Sequence, residues 1–206
     1  MKNTLLRTYT GQQLDLSSGI KAEELVLEDI AHSLSLQCRF NGMTDRFYSV
    51  AEHCVRAALI FGEEVAKDGT GNLKPRSCMA MLMHDASEAY LTDVPTPVKL
   101  LLGAAYYDVE RRLMGAVSRK YGFEQQWKSK KFQGILERID KQLLHSELKT
   151  MFTLPEGEEW YKEIEEAPEM MEGKWGIGWS PEVAKAAFIQ YYHTAEACFT
   201  HEYSVE

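Results

Sequence analysis

The dipeptide His84-Asp85 stands inside an apolar run, MAMLMHDASEAYL, that a helical spacing assigns to one helix from about Leu73 to Leu91. A histidine and a carboxylate side by side in such a run are costly to bury unless something compensates both. A divalent metal does so, because it accepts a neutral imidazole nitrogen and a carboxylate oxygen together. This pair therefore constrains both the fold and the chemistry.

Two further segments carry ligand-type residues beside apolar stripes. In residues 48–67, Val50, Cys54, Ala57, Ala58 and Phe61 recur at helical spacing, and His53 lies at the edge of that stripe with Glu52. In residues 135–152, Ile135, Ile139, Leu143, Leu144 and Leu148 do the same, with Asp140 beside them. Three helices would each deliver ligands near a buried face. Two histidines and two aspartates suffice for one metal with positions left for water and substrate. Glu88 falls four residues after His84, which on one helix puts both on one face. Asp93 follows in the turn before Pro95. Two carboxylates near a metal but not bound to it suit activation of a water or relay of its proton.

The order His53, His84-Asp85, Asp140 resembles the H…HD…D signature of the HD-domain metal-dependent phosphohydrolases. The string HDASEAYLTDVPTPVK, residues 84–99, is similar to bacterial 5′-deoxynucleotidases of that superfamily. The stretch CRFNGMTDRFYSVAEH, residues 38–53, looks like small phage and bacterial HD hydrolases, including phage deoxynucleoside triphosphate phosphohydrolases. The resemblance covers roughly residues 25–150. It implies an all-α HD-domain helical fold and hydrolysis of a deoxynucleoside mono- or triphosphate by a metal-bound hydroxide that attacks phosphorus. It implies His53, His84, Asp85 and Asp140 as metal ligands, with Glu88 and Asp93 handling protons. Arg39, Thr96 and Lys99 match residues near the phosphate or sugar, and Phe40 takes the place of an aromatic that packs on the base or sugar. Met43 stands where relatives often carry histidine. The metal could be Mn, Co, Zn, Fe, Ni or Mg. A cyclic or signalling nucleotide as substrate, and a non-catalytic metal-stabilised binding protein, remain the alternatives. A homo-oligomer is expected only by analogy.

Composition narrows the partners. The 206 residues suit one domain with a single core, residues 1–206. The net charge of −8, from 31 acidic against 23 basic residues, disfavours a nucleic-acid polymer as partner but not a small nucleotide at a local metal site. No run is apolar enough to span a membrane, and no secretory leader is evident. The four cysteines, Cys38, Cys54, Cys78 and Cys198, form no CxxC pair; Cys38, Cys54 and Cys78 sit in helix-like apolar contexts and are expected to be reduced, packed thiols of a cytoplasmic protein. Among the other histidines, His32 reads as structural, and packing or surface roles are favoured for His145.

The expected layout is a small hairpin in residues 4–16 with Tyr9 and Leu14 on strands. Helices follow near 27–38, 48–67, 73–91, 103–121, 131–152 and 181–200, the last capped by Ser180 and Pro181. Residues 153–180 read as a long, ordered, acidic excursion carrying Trp160, Trp175 and Trp179.

Overall fold

The computed structural model describes residues 4–17, 20–67, 75–154, 157, 159–167 and 176–202. These residues form a helical protein with one small two-stranded sheet. Strands β1 (Leu5–Arg7) and β2 (Gln13–Asp15) pair antiparallel with Leu6 opposite Leu14. Leu14 lies on β2 as expected. Tyr9 does not lie on a strand; it sits in the connecting turn, stacked on His32 with ring centroids 3.7 Å apart. Gly11, at φ +88°, supplies a turn conformation that side-chain-bearing residues rarely adopt. The turn is fixed to the helical body by Thr10, whose amide and hydroxyl both donate to the buried Asp29 carboxylate, at 2.7 and 2.8 Å.

Ten α-helices follow among the described residues. Helices α1 (Leu27–Leu36), α2 (Val50–Lys67), α8 (Lys130–Met151) and α10 (Pro181–Glu202) match the expected segments closely. Their starts follow from capping. Ser49 Oγ accepts from the Glu52 amide at the head of α2, Ser129 Oγ from Phe132 at the head of α8, and Ser180 Oγ from Val183 at the head of α10. Helix α6 (Ala104–Lys120) also stands where expected. Three short helices were not foreseen: α5 (Thr96–Leu102), α7 (Glu124–Lys128) and α9 (Glu159–Glu165).

One expectation is overturned. Residues 73–91 are not a continuous helix. Helix α3 (Pro75–Leu82) stops short, residues 83–87 are turns, and α4 (Glu88–Leu91) is a single turn of helix. Shorter i→i+3 bonds replace the helical ladder: Ala86 N–H to Met83 O, Glu88 to Asp85, and Ala89 to Ala86. No glycine or proline marks this break in the sequence.

Buried apolar residues form one cluster around Leu34, Tyr48, Met81, Leu113, Phe123 and Phe188. Helix α10 packs across α1, α2 and α3, while α8 lies against α2. Those packings set α2, the end of α3 and α8 side by side. Of the excursion at 153–180, residues 153–154, 157, 159–167 and 176–180 are described, with α9 among them. Trp179 is buried and its amide donates to the buried Glu52 carboxylate at 2.7 Å, so the entry to α10 is tied to α2. Gly178, at φ +80°, passes so close that a Cβ there would meet the Phe47 carbonyl at 2.9 Å. Trp175 and the Trp160 side chain fall outside the described residues.

Cys38 corrects another expectation. It lies in a short extended bridge to Ser49, not a helix, and is only partly buried. Cys54 and Cys78 are buried free thiols, and Cys198 is exposed.

Candidate metal centre

The four sequence-derived ligands converge. His53 Nε2 is 3.2 Å from His84 Nε2, 3.1 Å from Asp140 Oδ1 and 3.7 Å from Asp85 Oδ2. His84 Nε2 is 3.3 Å from Asp85 Oδ2 and 4.0 Å from Asp140 Oδ1. Ligand atoms about 2.1 Å from one ion and at right or tetrahedral angles to each other lie about 3.0–3.4 Å apart. The His53–His84, His53–Asp140 and His84–Asp85 separations fall in that range, while His53–Asp85 and His84–Asp140 are longer.

His84 and Asp85 both reach the cluster from the turn at 83–87, with His84 Nε2 3.3 Å from Asp85 Oδ2. That turn interrupts the helical hydrogen-bond ladder. It also frees the Met81 carbonyl, to which the His84 ring nitrogen Nδ1 is bonded at 2.8 Å. His53 Nδ1 is bonded to Glu147 Oε1 at 2.6 Å, with both side chains fully buried. Since a carbonyl or a carboxylate oxygen only accepts, each Nδ1 carries a proton, and Nε2 is the ring atom left facing the cluster. This is the orientation that a metal requires.

Without an ion, the surrounding carboxylates draw a second proton onto His53, in the place a bound cation would take. Burial and the Arg39 guanidinium act to lower the His53 pKa, yet the Glu147 and Asp140 carboxylates outweigh them and raise it to about 10. The pocket therefore favours positive charge at this point. Burial opposes ionisation of Asp85, but His84, His53 and Arg39 hold its carboxyl well below the usual range. Asp140 is lowered in the same way, with His53 outweighing burial. Cys54 also lies near His84 and Asp85. Its thiol is pushed far up by burial and by the Asp85 and Glu88 carboxylates, and a neutral thiol is a weak ligand.

Glu88 and Asp93 behave differently from the four candidate ligands. Burial raises Glu88 well above an ordinary carboxyl, and Asp85 and Asp93 raise it further. Burial also raises Asp93. Glu88 contacts Lys99 Nζ at 3.2 Å, and its other oxygen is buried without a hydrogen-bond partner. The shared helix face expected for His84 and Glu88 does not exist, because α4 begins only at Glu88; proximity to Asp85 comes from the turn instead.

The remaining sequence candidates divide. Arg39 is buried, 3.6 Å from Asp85 and 3.2 Å from Glu147, and its Nε is unpartnered. Lys99 bridges Glu88 and Glu110, at 3.2 and 3.1 Å. Phe40 is engaged in packing: its ring meets Phe152 edge-on at 5.2 Å and lies under the Arg39 guanidinium. Phe40 and its neighbour Asn41 take φ of 55° and 53°, strained for non-glycine residues. Thr96 is exposed at the first position of α5, outside these contacts. Met43 is 74% exposed. His145 faces Glu163 at 3.9 Å rather than the cluster.

Sequence reading missed Glu147, the group that orients His53. It lies seven residues after Asp140, on the buried face of α8 with Leu136, Ile139, Leu143 and Met151. A glutamate completing an apolar stripe was the available signal. Also missed was a cavity of about 490 Å³ that opens beside His84, Asp85 and Asp140. Tyr107, Met114, Trp127 and Leu136 line it, together with the carboxylates Glu110 and Glu137.

No family model matches the chain. An uncharacterized protein of Rhodobacter capsulatus is 39% identical over 124 residues, which is 59% of this chain and 60% of that protein. YfdR of Escherichia coli, also uncharacterized, is 35% identical over 119 residues, 58% of this chain and 59% of its own. The chain thus matches about three fifths of the length of either relative. Among the described residues, no helix is long and apolar enough to cross a membrane.

Proposed function

We propose that this chain is an HD-domain, metal-dependent phosphohydrolase acting on a nucleotide, with a deoxynucleotide the preferred class. The observation that carries the reading is the convergence of His53, His84, Asp85 and Asp140 with both Nδ1 protons committed elsewhere. A divalent ion bound there supplies positive charge that neutralises the phosphoryl group and acidifies a water. Mn, Co, Fe, Ni, Zn and Mg are all compatible with two imidazoles and two carboxylates in some coordination.

The chain's own residues do the rest. Glu147 and the Met81 carbonyl hold the two imidazoles in the ligating tautomer. Glu88, kept protonated more readily than an exposed glutamate, can deliver a proton to the leaving oxygen. Asp93 can hold the proton lost from the attacking water. Arg39 offsets negative charge beside Asp85. The cavity walled by Tyr107 and Trp127 offers aromatic surface for the nucleoside. Arg39 and Lys99 are already matched by Asp85, Glu147, Glu88 and Glu110, and Arg111 on the cavity wall is matched by Asp108. That balance favours a monophosphate over a triphosphate, whose extra charge would lack counter-charge.

The test is phosphate and nucleoside release from a panel of ribo- and deoxynucleoside mono-, di- and triphosphates, each with Mn, Co, Mg or Zn and with a chelator. The reading expects metal-dependent release, fastest from deoxynucleoside monophosphates. Release from none of them by metal-loaded protein would refute it.

A further inference from the structure

Helix α1 ends beside the segment that carries Glu88 and Asp93, and one side chain joins the two. Gln37, the residue after α1, donates from Nε2 to the Glu88 carbonyl at 3.0 Å and to Ser33 Oγ at 2.9 Å. Its Oε1 accepts from the Asp93 amide at 3.0 Å. Ser33 Oγ in turn donates to the Ala89 carbonyl at 2.8 Å. The same Gln37 is held through its backbone, since its carbonyl accepts from the Val50 amide at the head of α2 at 3.1 Å.

The span that Gln37 closes is strained. Between Glu88 and Asp93 the chain completes one turn of helix, then Thr92 turns it out at φ 71° and ψ 157°. A β-branched residue rarely adopts such a φ, so the surroundings must enforce it. The Thr92 amide bonds back to the Glu88 carbonyl at 2.8 Å, the same oxygen that Gln37 holds. One primary amide thus grips both sides of the strained residue. It fixes Asp93 relative to Glu88, and Val50 anchors that grip at the start of the helix bearing His53.

We infer that Gln37 is the positioning residue that holds the Asp93 and Glu88 carboxylates in register with the metal ligands. It reaches no substrate atom and acts through the backbone of those two residues. The inference rests on the proposed phosphohydrolase reading for its catalytic consequence, and on the hydrogen bonds alone for its structural one.

The test uses the full chain with Gln37→Met, which keeps length and removes both polar groups, in wild-type and Asp93→Asn backgrounds. Two readouts are taken. Amide hydrogen exchange, by NMR, should rise at least tenfold at Asp93 while Val50 and the α8 amides stay as protected as in wild type. In steady state, kcat should fall at least tenfold with KM within about twofold, and adding Gln37→Met to Asp93→Asn should cause a smaller fold-loss than in wild type, since only Glu88 is then left to misplace. Gln37→Asn, too short to reach both groups, provides the milder variant and should move both readouts the same way. Unchanged exchange at Asp93 overturns the inference. So does a kcat within twofold of wild type, or additive losses in the double variant. If wild-type protein turned over no phosphoester, the proposed function would fail on its own, and the exchange readout would still decide whether Gln37 holds Asp93.

Discussion

Replacing Glu147 with glutamine probes the metal centre without touching a ligand. Both carboxylate oxygens are used: Oε1 by His53 Nδ1 at 2.6 Å and Oε2 by Arg39 at 3.2 Å. All three side chains are buried. A carboxylate can accept both bonds; a primary amide has only one oxygen. If that oxygen faces His53, the amide NH₂ points at the Arg39 guanidinium, donor against donor. If it faces Arg39, the NH₂ points at His53 Nδ1, which must then give up its proton. The proton moves to Nε2, where it blocks the lone pair aimed at the ion. Loss of such an orienting partner costs about 10–100-fold in metal affinity, or about 1.4–2.7 kcal/mol. Arg39 would keep only the more distant Asp85, and breaking a buried pair costs about 3–5 kcal/mol. Glu147→Gln should therefore bind Co²⁺ or Mn²⁺ 10–100-fold more weakly by chelator competition and unfold at lower denaturant concentration. Affinity and stability both equal to wild type would refute the assigned tautomer and the role of Glu147.

Other expectations follow from the same geometry. Glu88→Gln should lower kcat by about 10²–10⁴ while metal affinity, read by the same competition, stays within a few-fold. Phe188→Ala, at a fully buried site on α10, should cost about 3–5 kcal/mol in equilibrium unfolding. The exposed Cys198 should react rapidly with a thiol reagent at pH 8. Cys78, pushed up to about 11 by burial, should stay unreactive in the native state, its thiolate fraction rising only as pH nears that value; equal rates at the two positions, mapped by peptide mass spectrometry, would contradict its burial.

The sequence was most legible where a polar residue interrupted an apolar stripe. His53, His84, Asp85 and Asp140 stood out for that reason, and long helices such as α8 and α10 declared themselves through spacing and serine caps. Local pattern failed where a long-range contact decided the outcome. Nothing in MAMLMHDASEAYL signals the break after Leu82, because its apolar spacing continues and the compensation comes from His84 bonding to the Met81 carbonyl. Gln37 looked like any helix-end polar residue, since its partners lie 51 and 56 positions away. Glu147 sat among other charges of α8; its place on the apolar stripe was a signal, but its bonds to His53 and Arg39 emerge only from the packing of α2 on α8. Phe40, expected from its sequence context to offer a stacking surface, is partly buried and meets Phe152 edge-on.

The central claim joins one ion to one chemistry at these four residues. Its most direct test is a titration of divalent metal into chelator-treated protein, with phosphate release from a deoxynucleoside monophosphate as the signal and Asp85→Ala alongside. The account predicts no release from the stripped protein, a linear return of activity that breaks at one ion per chain, and none in the variant. Full activity after chelation, or undiminished activity in Asp85→Ala, would contradict it.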